Sequence, residues 1–204
     1  MTMISPGGKS LPFFYEKLRS YDSLSIARQM RGRKFDSTLI LGTASRCRFG
    51  CPRVVVCSPL RALLPFPTSF WLTCPWLVRF VGGIESERGV EGLEHWIERH
   101  APDEWIPFNV DHQRIRLALL PGATSNFLRR YMPRVFERIR GGGVGGIRYD
   151  TKTRRVRVKC IHLQVASWLA LRRHPGGGWL DAQKAGQDCR GGMKDFCVYR
   201  TKEG

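Results

Sequence analysis

The stretch "PFPTSFWLTCP", Pro65 to Pro75, decides how the rest of the chain is read. Its three prolines and three aromatic rings in eleven residues make it too kinked for a regular helix and too apolar for an ordinary surface loop. The prolines set a rigid, extended approach, and the rings carry it into a core. Pro75 suits a first helical turn, and Trp76, Leu77, Phe80, Val81 and Ile84 recur at helical spacing, so a helix is expected over about 75–87. Cys74 then stands at a helix N-terminus, where backbone amides favour the thiolate that binds metals and attacks electrophiles.

Upstream, "STLILG" and "PRVVVCSP" are β-branched runs bounded by Gly and Pro. They read as two short strands flanking the loop "TASRCRFGCP", which carries Cys47 and Cys51; Cys57, in the second run, reads as a small apolar core residue. Residues 1–36 mix Pro, Gly, Ser and basic residues and read as a flexible, partly disordered N-terminal arm.

Downstream, Gly89 breaks the helix, and Val90, Leu93, Trp96 and Ile97 mark a second one. "APDEWIPFNVDHQ" reads as a loop because of its prolines. Phe127, Leu128, Tyr131, Val135, Phe136 and Ile139 form a helical stripe from Thr124 to Arg140, kinked or restarted near Pro133. "GGGVGGI", Gly141 to Ile147, lacks the G-K-[ST] ending of a phosphate loop and is expected to be a flexible turn, with no nucleotide bound. "RRVRVKC" alternates like a half-exposed strand and delivers Cys160 to a helix; one more short helix is expected around Trp179 to Lys184. The fold class is α+β: a mainly helical single domain over 37–200 with a small β-sheet.

With 204 residues, 42% of them hydrophobic, the chain buries one sizeable core. Its charge is lopsided: 34 Lys+Arg against 17 Asp+Glu give +17, which points to nucleic acid or another polyanion as partner. Between residues 128 and 160 there are eleven Lys/Arg and two acids, Glu137 and Asp150. Arg129, Arg130, Arg134, Arg154, Arg155 and Arg157 are the candidate phosphate contacts, against the alternative of a solvated face. "MTMISPGGKSLPFF" holds no signal-like apolar run, and the apolar stretch from Ala62 to Val78 is broken by three prolines, so a cytoplasmic protein without a membrane span is expected. Seven cysteines, an odd number, then read as thiols or metal ligands rather than a disulfide framework.

Four motifs carry the polar chemistry: "RCRFGCP", "LTCP", "KCIH" and "CRGGMKDFC". "RCRFGCPRVVV", "PFPTSFWLTCPWL", "GGVGGI", "VKCIHLQVASWLA" and "HPGG", in this order, resemble the bacterial family called domain of unknown function 501. The resemblance implies a small cytosolic bacterial protein and supplies no catalytic mechanism. It covers Cys47, Pro52, Pro65 to Thr68, Leu72 to Pro75, Lys159, Cys160 and His162, with one further cysteine near the C-terminus, Cys189 or Cys197; Cys51 falls where family members vary.

The sharpest expectation is one metal centre, zinc or an iron–sulfur cluster, formed by Cys47, Cys74, Cys160 and either Cys189 or Cys197, with His162 as ligand or behind the ligands. The competing readings are buried structural cysteines, a thiol-dependent enzyme using Cys160 or Cys74, and a basic nucleic-acid binder without catalysis. Cys160 and His162 are two residues apart and diverge on a helix, which weighs against a nucleophile and base pair. His95, His100, His112 and His174 show no partner pattern and are expected at the surface.

Overall fold

A computed structural model describes Pro6, Gly8 and residues 10–149, 151–152, 155–189 and 196–197. The two β-branched runs become strands β1 (Ile40–Arg46) and β2 (Pro52–Cys57), joined by a short turn. Leu60–Arg61 (β3) and Leu64–Pro65 (β4) form a separate two-stranded ribbon, and Phe70–Leu72 (β5) returns to the main sheet. That sheet is antiparallel in the order β1-β2-β5, with Val54 opposite Leu72, Val55 opposite Trp71 and Val56 opposite Phe70.

Alternation along β2 divides the core. Val54, Val56, Phe70 and Leu72 face the main cluster; Val55 and Cys57 face a second one built with Ile26, Met30 and Leu39. Val54 to Cys57 have no exposed surface, and each valine buried this way contributes about 1.5–3 kcal/mol.

Described parts of the N-terminal arm pack onto this sheet. Leu11, Phe13 and Tyr15 enter the main cluster, Glu16 pairs with Thr43 through both backbone hydrogen bonds, and α1 (Asp22–Gln29) packs Ile26 on the opposite face. A Cβ at Gly42 would meet the Glu16 carbonyl oxygen at 2.3 Å, so this approach requires glycine. Asp22, fully buried, binds Arg46 at 2.6 and 2.8 Å and ties α1 to the end of β1.

Helix α2 spans Pro75–Ser86, with Cys74 as its N-cap residue and Pro75 at the first turn, as the spacing predicts. Then follow α3 (Gly89–His100), α4 (Pro102–Leu119), α5 (Gly122–Tyr131), α6 (Pro133–Arg140), α7 (Ile161–Leu171) and α8 (Gly177–Ala182). The restart at Pro133 matches expectation. The fold class is therefore α+β and mainly helical, and no helix among the described residues is long and apolar enough to cross a membrane.

Three expectations are corrected. "APDEWIPFNVDHQ" is helical, not a loop: Pro102 occupies the first helical turn, and Pro107 is carried inside a helix that buries Trp105, Phe108, Ile115 and Leu119. The tertiary gain from these side chains outweighs one missing backbone bond. His112 is not at the surface; it is buried on α4 between the rings of Phe70 and Phe108, at centroid distances of 5.7 and 4.8 Å. His174 is half-buried against Phe108, whereas His95 and His100 are exposed. Residues 155–160 form no strand; the amides of Val156 and Val158 donate instead to the Glu98 and Glu94 carboxylates of α3, at 3.3 and 2.7 Å.

The glycine-rich segment wraps a cation. Arg116 of α4 has no exposed surface, and its guanidinium donates to the carbonyls of Ile139, Gly141, Gly142 and Gly143. Burial pushes its pKa down to about 10, still far above neutrality, so it remains charged inside the loop. The loop carbonyls are thus turned inward onto the guanidinium.

Candidate metal centre

The thiol cluster is assembled at the β1–β2 turn. The Cys47 amide donates to the Cys51 carbonyl (3.0 Å), the Gly50 amide donates back to the Cys47 carbonyl (2.8 Å), and Gly50 takes a positive φ of 80°. This five-residue turn sets Cys47 and Cys51 side by side, and their thiols hydrogen-bond to each other. Beside them, the amides of Thr73 and Cys74 donate to the Arg53 carbonyl at 2.9 and 3.4 Å, so the chain leaving β5 runs along the start of β2 and delivers Cys74 to the same corner. The amides of Leu77 and Trp76, in the first turn of α2, point at the Cys74 sulfur.

Cys197 completes the corner. Its thiol is hydrogen-bonded with that of Cys51, and its sulfur accepts from Gln29 Nε2 at 3.5 Å. The same Gln29 nitrogen donates to the Pro52 carbonyl at 3.1 Å, which also accepts from Thr73 Oγ1 at 3.2 Å. One carbonyl thus joins the end of α1, the cysteine turn and the approach to Cys74. Arg53 and the Arg48 amide hold Asp188 at 2.8 Å each, fixing the C-terminal segment to this turn.

Cys47 lies half-buried and the other three are buried. A hydrogen bond from the Cys51 thiol pulls the Cys47 pKa down to about 6, while bonds to Cys197 and Cys47 push that of Cys51 up. Burial pushes Cys74 up to about 11 despite its helix amides, and the charges of Cys197 and Cys47 add to the rise. Cys47 is thus the thiol biased toward the thiolate, and Cys74 is not the activated thiolate its helix position predicts.

The expected convergence is redistributed. Cys51 is hydrogen-bonded to both Cys47 and Cys197, and Cys74 lies within electrostatic reach of Cys47 and Cys197. Cys189 is buried, but Cys197 is the tail thiol bonded into the cluster. Cys160 and His162 stand apart with Glu85, an acid the sequence reading did not single out. One ligand atom from each of these three lies within 4.8 Å of the others. Glu85 Oε1 accepts from the amides of Ile161 (2.5 Å) and His162 (3.2 Å) and contacts His162 Nδ1 at 3.0 Å, while His162 Nε2 faces the Val78 carbonyl at 3.0 Å. Burial raises the Cys160 pKa, so neither sequence candidate for a nucleophile carries a depressed thiol.

Of the candidate phosphate contacts, Arg129, Arg130 and Arg134 are exposed on α5 and α6, Arg155 and Arg157 are exposed before α7, and Arg154 lies outside the described residues.

A family model described as protein of unknown function (DUF501) matches residues 43–182. The chain belongs to this family. The DUF501 match contains Cys47, Cys51, Cys74, Glu85, Cys160 and His162 and stops short of Cys197. No curated protein and no solved structure matches.

Proposed function

We propose that this DUF501 protein is built around a thiolate-ligated metal centre held by Cys47, Cys51, Cys74 and Cys197. The carrying observation is that the Cys51 thiol bonds to both Cys47 and Cys197, residues far apart along the chain, while Cys74 is within electrostatic reach of both. Four thiolate ligands suit tetrahedral zinc or an iron–sulfur cluster. A divalent ion displaces the thiol protons, so loading releases protons and weakens as pH falls. By joining α1, the β1–β2 turn, the start of α2 and the tail, the centre braces elements that the sheet alone does not connect. Elemental analysis and an absorption spectrum of anaerobically purified protein test this. Stoichiometric zinc in colourless protein or iron in brown protein agrees with the proposal; metal-free, fully folded protein refutes it.

A second reading, binding of single-stranded nucleic acid, is favoured by the exposed face of α5 and α6. Phe127 and Tyr131 are 46% and 63% exposed, four residues apart, with ring centroids 5.2 Å from each other. Arg130 lies over Tyr131, and Arg129, Arg134 and Arg138 are exposed nearby. Exposed rings among arginines supply both the stacking and the phosphate contacts such binding uses. The two readings are compatible, because a metal centre at the sheet leaves this helical face free.

A further inference from the structure

We propose that Glu85, Cys160 and His162 form a second metal site, for one divalent ion of the zinc class, at the edge of a groove walled by β5 and the start of α7. It shares no residue with the four-thiol centre. The ligand atoms already lie within 4.8 Å of one another, and they are a carboxylate oxygen, a thiol sulfur and an imidazole nitrogen, the donor types zinc accepts.

The histidine is oriented as a metal ligand is. His162 Nε2 points at the Val78 carbonyl at 3.0 Å, which fixes the proton on that nitrogen and leaves Nδ1 turned toward Glu85 Oε1 at 3.0 Å. A ring nitrogen that donates to a backbone carbonyl while its partner ligates is the usual arrangement behind metal-bound histidines. Without metal, a proton must occupy the space between Nδ1 and the carboxylate; with metal, the ion replaces it.

Val78 and Glu85 both belong to α2, so one rigid helix sets the carboxylate and the ring orientation together. Cys160 is the N-cap residue of α7, and its sulfur faces the amides of Leu163 and His162. The positive end of that helix opposes a cation. Carboxylate and thiolate together bring two negative charges, enough to balance a divalent ion and outweigh the partial charge of the helix end.

Cys160 and His162 line a groove of about 420 Å³ shared with Arg33, Trp71 and Lys159. Three protein ligands, two of them lining an open cleft, make a catalytic type of zinc site rather than a closed structural one. The fourth position takes water or a small oxyanion, with the cations of Arg33 and Lys159 in the same groove.

Cobalt(II) titrated into the full-length protein as purified, still carrying its native metal, tests this. Binding is expected to produce one thiolate-to-cobalt charge-transfer band, absent from Cys160→Ser, with affinity lowered more than about tenfold in His162→Gln. Cys160→Ser keeps an acceptor for the amides of α7 and Glu85→Gln keeps one for Ile161, and melting curves check that both fold. Glu85→Gln is expected to weaken cobalt while leaving the band in place at saturation. A band that survives Cys160→Ser, or no band in the folded wild-type protein, overturns the proposal. Cys51→Ser is expected to empty the four-thiol centre without removing the band, so the two sites fail separately.

Discussion

His112 makes the stability of this protein sensitive to mild acid. The ring is buried between Phe70 and Phe108, its Nε2 has no hydrogen-bond partner in the structure, and burial, with the Arg116 charge nearby, pushes its pKa down to about 3. In the unfolded chain a histidine titrates near 6.5. Between those values the unfolded chain holds a proton that the folded one does not, so stability is complete above pH 6.5 and is lost as pH falls toward 3. The slope approaches about 1.4 kcal/mol per pH unit, which amounts to about 2 kcal/mol between pH 7 and pH 5. His112→Phe keeps the ring packing and removes the titration. Urea unfolding of both proteins at pH 7, 6 and 5 reads the difference: the wild type should lose about 2 kcal/mol more than the variant. His174 and Cys47 titrate in both proteins and cancel in the comparison. Parallel losses in wild type and variant would refute the argument and mean that His112 reaches water or a partner.

The remaining predictions concern packing and surface. Arg116→Met leaves four buried carbonyls without their donors and should cost about 3–5 kcal/mol in chemical denaturation, with a loss below about 1 kcal/mol contradicting the caged-cation account. Gly143→Ala places a Cβ 1.7 Å from Asn109 Oδ1 and should destabilise by about 2 kcal/mol or more, whereas Gly122→Ala, with nothing within 4 Å at a helix start, should change stability by less than about 1 kcal/mol. For the α5–α6 face, Tyr131→Ala should weaken binding of a fluorescent single-stranded oligonucleotide by about 1–3 kcal/mol, and wild-type affinity should fall steeply with salt; affinity indifferent to both excludes that face.

Sequence legibility followed the strength of local signals. β1, β2 and α2 were legible because β-branched runs and a proline-started apolar period agree with the packing they meet. α4 was not, since two prolines carry a loop signal while its buried Trp105, Phe108 and Ile115 become decisive only once the core exists. The segment before α7 has the alternation of a strand, but a strand also needs a neighbour, and carboxylates of α3 take that role for its amides. The places of Cys47 in a turn and of Cys74 at a helix start were legible as well. Their neighbours were not: a hairpin turn brings Cys51 beside Cys47, while the start of α7 is held by Glu85, whose position on α2 carries no signal of its own.

X-ray absorption at the metal edge of a protein carrying Cys160→Ser and His162→Gln together tests the central claim most directly, because the pair removes two of the three ligands of the second site, its sulfur among them. A first shell of sulfur alone, at about 2.3 Å for zinc, that disappears when Cys51 is also replaced by serine is the predicted result. A shell containing nitrogen or oxygen, or one indifferent to Cys51, contradicts the four-thiol centre.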